Sequence, residues 1–483
     1  MPAVAVLPPR YHLLTRLHEA HGRTGFLSRE AVAEIARTLQ IPLAEAWEAA
    51  TSYPLFRFEA GLVAPPCGGL SCSLNGAAPS RDSFAGCRFR CFDAPVAGPE
   101  KRFPEDRLIL AGPLLAPDLT DWDGLQSAQR LGPEVTLDLV EAAGLRGRGG
   151  AYFAVATKWR AALAQRRPLA LVVNAEEGEP GVFKDRALLQ LRPRRFIEGL
   201  AIAAAVLQPA IIVVFVNGEA QPMNDAVTAA LQEWKALFPV EVVVVPGGGG
   251  YVLGEETTLL NALEGRKPVP RLRPPFPVES GLFGMPTVVN NVETIAQLSV
   301  VVRGGARAFR SLGTEDAPGT KLFSVSGRVT APGLYEMPLG TPLRELVNRA
   351  GGAMEGKVVA ALAGGPSGGF LPPAELDRPL LPGLMHPTGA VAGSGGMVVL
   401  DSTSDLRAAV LAMAAFNADE SCGKCTPCRE GLPRLLDALQ VPTPEVNTND
   451  LLEVVGLASL CGLGQMAPGP VRSAMHFWPE LFS

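Results

Sequence analysis

The stretch LAIAAAVLQPAIIVVFV, residues 200–216, decides between a membrane span and a soluble α/β fold. It is apolar over nearly its whole length, which is the composition of a transmembrane helix. Gln208-Pro209 divides it, however, into an alanine-rich half and a β-branched half, and a proline in this place ends a helix. Short β-branched runs are typical of buried strands. The stretch therefore predicts a helix followed by a buried strand, with no membrane span.

Two further runs of the same kind extend this α/β pattern. LALVV (169–173) and EVVVV (241–245) each stand beside a helical or glycine-rich segment. Strands alternating with helices predict a parallel sheet covered by helices on its faces. We therefore expect an α/β multi-domain protein whose main α/β domain spans residues 136–316.

The remaining segments differ in composition and periodicity. We expect a helical domain over 1–60, a Gly-, Pro- and Cys-rich segment over 61–100, and a proline-rich linker over 101–135. Alternating short strands and glycine turns predict a small β-grasp-like domain over 317–400, and 401–483 has helical periodicity.

The overall composition excludes several classes of protein. The 483 residues are 47% hydrophobic and 19% charged, which favours packed cores over disorder. A net charge of -5 and the lack of a Lys/Arg stripe argue against a nucleic-acid surface. MPAVAVLPPR at the N-terminus has no basic start of the signal-peptide type. We expect a soluble, cytoplasmic protein.

Four loops carry clustered glycines, carboxylates or amides: GLRGRGGAYFAVATKW (144–159), VVNAEEGEPGVFKDR (172–186), PGGGGYVLGEETTLLNALEG (246–265) and PTVVNNVET (286–294). Glycines allow a backbone to approach a phosphate or a flat ring, and carboxylates accept from hydroxyls and amides. A plain turn and a solvated polar loop are the alternatives for each stretch alone. Together the four predict one shared pocket for a nucleotide or a flavin.

The eight cysteines form two groups. ESCGKCTPCREG (420–431) places Cys422, Cys425 and Cys428 at intervals of three, a ligand pattern that lacks a fourth member. In a cytoplasmic chain such clusters are more often metal ligands than disulfides. Iron–sulfur and zinc both accept four thiolates. The five histidines show no ligand spacing, and we interpret His12, His18 and His21 as a solvated helix face.

Six motifs in one order identify a family resemblance over about 136–483: GLRGRGG, NAEEGEPG, GEET, RLRPPFP, NNVET and ESCGKCTPCREG. Together they resemble the NADH-binding flavoprotein subunit of respiratory complex I. They are also similar to the diaphorase subunits of NAD-dependent formate dehydrogenases and bidirectional hydrogenases. The resemblance implies a Rossmann-like FMN domain and hydride transfer between NAD(H) and FMN, with the cofactor rather than a side chain doing the chemistry.

The same resemblance implies two sets of site residues. The residues implied to bind FMN are Gly147, Arg148, Gly149, Gly150, Lys158, Asn174, Glu176, Glu177, Tyr251, Gly254, Glu255, Glu256, Val289, Asn290, Asn291 and Thr294. The residues implied to contact NAD(H) are Phe153, Glu179, Glu255, Arg273 and Phe276. Aromatic faces would hold the rings, while acidic groups would accept from ribose hydroxyls.

The resemblance also implies the cysteine ligands. SLCGLGQMAPGPV (459–471) supplies Cys461, which would join Cys422, Cys425 and Cys428 around a [4Fe–4S] cluster. PCGGLSCSLNGA (66–77) and CRFRCFDAPV (87–96) resemble both halves of a thioredoxin-like [2Fe–2S] subunit, with the candidate ligands Cys67, Cys72, Cys87 and Cys91. Their spacing is short for that family, so 61–100 would be a truncated domain. A [2Fe–2S] cluster, zinc and no metal stay open there.

Four residues depart from the family pattern: Tyr152, close to the implied nicotinamide site, for a small residue, Ala161 for an aromatic residue, Glu176 for Asp and Arg273 for Lys. We predict a diaphorase subunit that exchanges electrons with a separate catalytic subunit. Further iron–sulfur subunits are additional candidate partners. Formate is the first candidate substrate of that partner and hydrogen the second, both by analogy. A complex I-like enzyme, or a non-catalytic relay with a decayed NADH site, are the alternatives.

Overall fold

The computed structural model describes residues 7–61, 67–77, 87–88, 90–96, 101–381, 383, 386–440 and 447–482. Within these ranges no helix combines the length and the apolar character that crossing a bilayer requires.

The N-terminal segment is a three-helix unit, as the sequence predicts. It comprises α1 (Leu13–Thr24), α2 (Arg29–Thr38) and α3 (Leu43–Thr51). The Ser28 side chain accepts a hydrogen bond from the Ala31 N–H and so caps α2. The cysteine-bearing segment that follows contains the short helix α4 (Leu70–Leu74).

The segment 101–135 is not the linker that its prolines predict. It contains strand β1 (Leu108–Leu110) and helix α5 (Asp123–Leu131), and β1 pairs in parallel with the later strand Gly333–Pro338. The buried Glu336 carboxylate accepts from the N–H groups of Gly112, Leu114 and Leu115, which fixes the segment to that second sheet. A three-residue strand is too short for its periodicity to be recognised.

A parallel sheet covered by helices forms the centre of the molecule. Its elements are α6 (Pro133–Ala143), α7 (Val155–Leu163), β2 (Ala170–Ala175), α8 (Lys184–Leu191), α9 (Pro193–Leu207), β3 (Ile211–Val216), α10 (Gln221–Glu233), β4 (Val242–Pro246), α11 (Glu256–Leu263), β5 (Thr287–Asn291) and α12 (Val292–Arg310). The strand order is β4-β3-β2-β5, and every pair is parallel. The deciding stretch 200–216 is divided between α9 and β3, as predicted.

Both faces of this sheet are buried. On one face Leu171 and Val173 pack into the core formed with α5 to α9 and α12. On the other face Ala170 and Val172 pack against α11 and the N-terminal helices α1 to α3. The order of the strands reverses at β2, whose neighbours β3 and β5 follow it on opposite sides. In such sheets the crevice beyond the carboxyl ends at the reversal is where ligands bind.

The second sheet and a helical C-terminus complete the chain. The sheet contains β6 (Thr320–Gly327), β7 (Gly333–Pro338), β8 (Val358–Ala363), β9 (Gly369–Leu371) and β10 (Gly396–Asp401), with helix α13 (Leu343–Arg349) between β7 and β8. Its strand order is β1-β7-β6-β10-β8-β9. The C-terminal helices are α14 (Leu406–Asp419), α15 (Thr426–Gln440), α16 (Thr448–Ala458), α17 (Gly462–Met466) and α18 (Gly469–Phe477). The predicted α/β, β-grasp-like and helical parts are all present.

Candidate functional site

The four polar loops meet at the carboxyl ends of β2 and β5. The Asn174 amide donates to the Gly254 carbonyl at 2.9 Å, and the Asn291 amide donates to the Asn174 carbonyl at 3.4 Å. The Arg148 N–H donates to the Thr294 hydroxyl at 2.8 Å. These contacts join all four loops, so the fold brings together residues that lie up to 146 positions apart in the chain.

The glycine loop after α6 lies close against its neighbours. A Cβ on Gly149 would stand 3.0 Å from the Cβ of Asn291, and Gly150 has a φ of +121°. The Gly147 N–H donates to the Phe153 carbonyl at 2.9 Å, which closes the loop on itself. Side chains at these positions would fill the crevice, and their absence leaves a backbone-lined wall suited to a flat ring or a phosphate.

Glu176 is the group that most needs a ligand. It is buried, and neither of its carboxyl oxygens has a hydrogen-bond partner. Burial raises the pKa of its carboxyl well above the ordinary value, and Glu219 adds to the increase. Buried polar atoms normally have partners. A carboxylate that awaits N–H or O–H donors fits the imide and the ribityl hydroxyls of a flavin.

Two of the predicted flavin residues use their side chains within the protein. The Arg148 guanidinium donates to the carbonyls of Thr320 and Pro318 at 3.0 and 2.8 Å. The Glu177 carboxylate accepts from the Asp185 N–H at 2.6 Å and from the Arg186 guanidinium at 2.8 Å. Both side chains therefore stabilise the walls of the crevice. Only the backbone atoms of these two residues remain for contact with a ligand.

Charged side chains line the opposite wall, around β5 and the start of α11. The Lys158 ammonium donates to the Val289 carbonyl at 3.1 Å and lies 3.4 Å from the Glu256 carboxylate. The Arg273 guanidinium contacts the carboxylates of Glu255 and Glu256 at 3.1 and 3.2 Å. Glu255 also caps α11, because its other oxygen accepts from the N–H groups of its first turn.

Of the remaining predicted residues, two are held by hydrogen bonds within the protein and two are exposed aromatic residues. The Asn290 amide oxygen accepts from the Trp159 indole N–H at 2.8 Å, and the Tyr251 hydroxyl is hydrogen-bonded to the Ser367 hydroxyl. Phe153 and Phe276 are 54% and 50% exposed, so each offers a ring face to a ligand.

Tyr152, one of the four departures from the family pattern, has a buried side chain. Its side chain is buried in a small apolar cluster with Ala317 and Leu339. Its φ of +51° lies in the left-handed region and directs the side chain differently from that of Phe153, which is exposed. The alternative of a decayed NADH site, which rests on Tyr152 and Ala161, therefore loses one of these two observations.

A buried ion network, which the sequence does not reveal, joins this site to the second sheet. The Lys184 ammonium contacts Asp185 and Glu293 at 2.7 and 3.1 Å. The Lys321 ammonium, on β6, contacts Glu293 at 3.2 Å and donates to the Arg148 carbonyl at 2.9 Å. Burial lowers the pKa of Lys321 to about 8. No spacing connects these residues in the chain, and only the fold assembles them.

The C-terminal cysteines line one cavity. Cys422, Cys425, Cys428 and Cys461 share it with Tyr251, which belongs to the crevice described above. Burial raises the pKa values of Cys422 and Cys461, and that of Cys428 to about 11. The Leu460 N–H donates to the Cys425 sulfur at 3.5 Å. Four thiols around a single cavity fit a cluster held by four thiolates.

The N-terminal cysteines also come together, despite the short segment between their two halves. Cys67, Cys72, Cys87 and Cys91 are all buried. A Cβ on Gly69 would stand 3.1 Å from the Cys87 sulfur and 3.7 Å from the Cys67 sulfur. Hydrogen bonds from Cys72 and Cys87 lower the pKa of Cys67 to about 2. The structure thus gathers the thiols that the [2Fe–2S] prediction requires.

In the part of the chain that the structure describes, no three His, Cys, Asp or Glu side chains are placed to hold a single metal ion.

Comparisons with known proteins agree with these features. The family model of the Nuo51 FMN-binding domain matches residues 140–300, that of the SLBB domain 322–371, and that of the NADH-ubiquinone oxidoreductase-F iron-sulfur binding region 408–483. The chain is 41% identical over 386 residues to the F subunit of NADH-quinone oxidoreductase from Mycobacterium tuberculosis, covering 74% of this chain and 86% of that protein. It is 39% identical to the corresponding F 2 subunit of Rhizobium meliloti, over 72% of this chain and 88% of that one.

A solved structure resembles the chain over almost its full length. A chain of the NAD+-reducing [NiFe]-hydrogenase in the H2-reduced state is 31% identical, with a TM-score of 0.85 over 99% of this chain and 93% of that one. The protein therefore belongs to the F-subunit family of NADH-quinone oxidoreductases, the NADH-binding FMN and [4Fe–4S] flavoproteins of complex I and NAD-reducing hydrogenase enzymes.

Proposed function

We propose that this chain is the diaphorase subunit of a NAD-reducing hydrogenase-type enzyme. One observation carries the proposal: the hydrogenase chain has the same fold over 99% of this chain, which includes the N-terminal helices and the segment with the first four cysteines. A partner subunit would then carry the hydrogen-activating centre, and electrons would pass between it and NAD(H) through this chain. Further iron–sulfur subunits can stand between the two.

The crevice at the ends of β2 and β5 is the proposed site of FMN. The flavin, when bound, converts the two-electron chemistry of a hydride into single-electron steps that iron–sulfur clusters accept. The residues proposed to hold it are the glycine-loop residues Gly147, Arg148, Gly149 and Gly150, and Lys158, Asn174, Glu176, Glu177, Tyr251, Gly254, Glu255, Glu256, Val289, Asn290, Asn291 and Thr294. The unpartnered Glu176 carboxyl supports this assignment most directly.

The exposed aromatic rings beside the crevice are the proposed platform for NAD(H). Phe153 and Phe276 would hold the nicotinamide and adenine rings between them and the flavin. Glu179, Glu255 and Arg273 would orient the ribose and diphosphate groups, and the two carboxylates would repel the extra phosphate of NADP.

The two cysteine sites contact different loops of the crevice. The Phe92 ring, next to Cys91, packs edge-to-face against the Phe183 ring of the acidic loop after β2, with the ring centroids 5.1 Å apart. The cavity of Cys461 and its partners reaches Tyr251, at the end of the glycine run after β4. Because both sites touch loops of the crevice, each is placed to exchange electrons with a flavin there. We assign a [2Fe–2S] cluster to Cys67, Cys72, Cys87 and Cys91.

A co-purification experiment tests the identity of the partner. The tagged chain would be isolated anaerobically from its source cells, and NAD+ reduction would be measured with hydrogen and, separately, with formate. Hydrogen-dependent reduction is the expected result. Formate-dependent reduction would instead support a formate dehydrogenase as the partner, the first candidate by analogy.

Substitution of Glu179 tests the nucleotide assignment. With ferricyanide as acceptor, Glu179→Ala is expected to raise the KM for NADH about tenfold, the equivalent of one hydrogen bond to a charged group. FMN affinity is expected to stay within about twofold. Equal loss of NADH and FMN binding would contradict the assignment. Glu59→Ala, which alters an exposed carboxylate of the N-terminal unit, is the matched control.

A further inference from the structure

We propose that the second sheet supplies a wall of the NAD(H) site, and that Ser394 is the positioning residue for Glu179. The inference rests on the proposed function, which assigns Glu179 to NAD(H), and adds a residue that neither motif nor family model singles out. Ser394 lies in the loop 393–395 before β10, more than 200 positions from Glu179 in the chain.

The Glu179 carboxylate projects from the loop after β2 into the second sheet. The Ser394 hydroxyl donates a hydrogen bond to Oε2 of Glu179. On the other side, a Cβ atom added to Gly365 would stand 2.6 Å from Oε1 of Glu179. The glycine therefore leaves the space that this oxygen occupies. Oε1 is buried and has no hydrogen-bond partner. One oxygen is therefore anchored, while the other remains for a donor such as a ribose hydroxyl or a carboxamide.

The loop that carries Ser394 is itself fixed to the flavin loop. The Lys321 ammonium donates to the Ser394 carbonyl at 2.8 Å and to the Arg148 carbonyl at 2.9 Å. A Cβ on Gly150 would lie 3.7 Å from the Ser394 N atom, so the glycine loop and the loop 393–395 are in direct contact. One buried lysine thus sets the distance between the two walls of the crevice.

The charge on Glu179 depends on these neighbours. Burial raises the pKa of its carboxyl to about 7, while the Ser394 hydrogen bond and the cations Lys321 and Lys184 oppose the increase, and Glu177 adds to it. Tyr251 faces the same carboxyl. Loss of the hydroxyl removes one of the groups that favour the ionised form, so the pKa of Glu179 should rise further.

Ser394→Ala tests the inference in the full-length, FMN-loaded chain, with NADH as the probe and ferricyanide as acceptor. The expected result is an increase in the KM for NADH of roughly 3- to 10-fold, since one charge-assisted hydrogen bond is lost. The KM for NADH should fall as the pH rises and Glu179 ionises. In Ser394→Ala this fall should begin at a higher pH, because the pKa of Glu179 is higher. Ser394→Thr retains the hydroxyl and should restore both values.

Three comparisons decide the outcome. Ser402→Ala removes an exposed hydroxyl just after β10 and should change neither value. An unchanged KM and pH profile in Ser394→Ala, in a protein whose Glu179→Ala variant does lose NADH affinity, would overturn the inference alone. Equal damage in Ser394→Ala and Ser394→Thr would mean a merely structural loop and would also overturn it. If Glu179→Ala binds NADH normally, the assignment of Glu179 to NAD(H) is wrong, and the role proposed for Ser394 is then wrong as well.

Discussion

At the scale of single residues, the site depends on groups kept in unfavourable states. Glu176 has a buried carboxyl without a donor, and Glu179 has one free oxygen, also buried. Each such atom costs stability in the folded chain, by about 1–3 kcal/mol when nothing satisfies it. Both residues belong to the NAEEGEPG motif. The motif therefore makes sense as a binding feature, because a chain selected for stability alone would not retain these groups.

The Glu176 carboxyl leads to a pH-dependent prediction for the FMN-free protein. Burial raises its pKa above the ordinary 4.5, so the folded chain holds this proton more tightly than the unfolded chain. The contribution of this group to stability is present at low pH and is lost as pH rises through the raised pKa. Glu176→Gln cannot ionise, so its melting temperature should exceed that of wild type by a margin that grows as the pH rises above about 5.

Differential scanning calorimetry of the FMN-free proteins checks this prediction. Each kcal/mol should appear as roughly 1 °C in melting temperature for a chain of this length. Glu59→Gln changes an exposed carboxylate and should show no such growing margin. A margin that stays constant with pH, or shrinks, would mean that Glu176 is not held in the protonated form by its surroundings.

The predicted residues differ in how well sequence could assign them. The glycines and Asn174, Asn290 and Asn291 follow from motifs, because strand ends of a parallel sheet meet in one place. Arg148 and Glu177 stand in the same motifs, yet their side chains turn into the protein. Sequence gives a residue's position on a loop but not the direction of its side chain. Lys321 and Ser394 could not be found at all, since their partners lie in another domain.

At the scale of elements, the N-terminal helices hold the glycine run after β4. The His18 ring donates from Nε2 to the Gly247 carbonyl at 2.9 Å, and the Leu55 N–H donates to the Gly248 carbonyl at 3.0 Å. The Tyr53 ring lies against Gly248, where a Cβ would approach it to 2.4 Å. The interpretation of His18 as part of a solvated helix face is therefore wrong. Burial lowers its pKa to about 4, so it is neutral near pH 7.

This contact predicts that His18 contributes to FMN affinity through the loop it holds. His18→Ala should raise the Kd of the FMN-free protein for FMN about 3- to 10-fold, the effect of losing one neutral hydrogen bond. Quenching of flavin fluorescence during titration measures the Kd directly. His12→Ala, on the exposed side of the same segment, is the matched control and should leave the Kd unchanged. Equal effects of both substitutions would refute the role assigned to the contact.

The short elements show where pattern-based prediction fails. The helices α1 to α3 and the strands β2 to β4 were predictable, because several residues repeat one periodicity. Strand β1 has three residues and α5 follows a proline-rich stretch, so neither gave a recognisable period. What positions them is tertiary: β1 completes the second sheet, and Arg303 contacts both Asp121 and Glu198 next to α5.

At the scale of the whole molecule, the parts of the chain interlock. Strand β1 precedes the FMN domain in sequence but joins the sheet that follows it. The N-terminal helices complete one face of the parallel sheet, and α4 docks on β6 through a hydrogen bond between Ser71 and Ser326 of 2.9 Å. Two cysteine sites are thereby held against one crevice. Such a scaffold fixes the distances between the two cysteine sites and the crevice, which free domains joined by a linker would not.

The interlocked arrangement predicts two separable clusters around one flavin. Anaerobically purified protein should contain about six irons and one FMN per chain, since a [4Fe–4S] and a [2Fe–2S] cluster together hold six. Cys461→Ala should lose about four irons and Cys72→Ala about two, because each removes one ligand of a different set. Both variants should retain FMN, as neither thiol belongs to the loops at the ends of β2 and β5. Iron and flavin analysis, with EPR after reduction by NADH, measures these changes. If Cys72→Ala keeps all the iron of the wild type, the N-terminal thiols hold no cluster, and α4 with its neighbours is a docking element that fixes the second sheet.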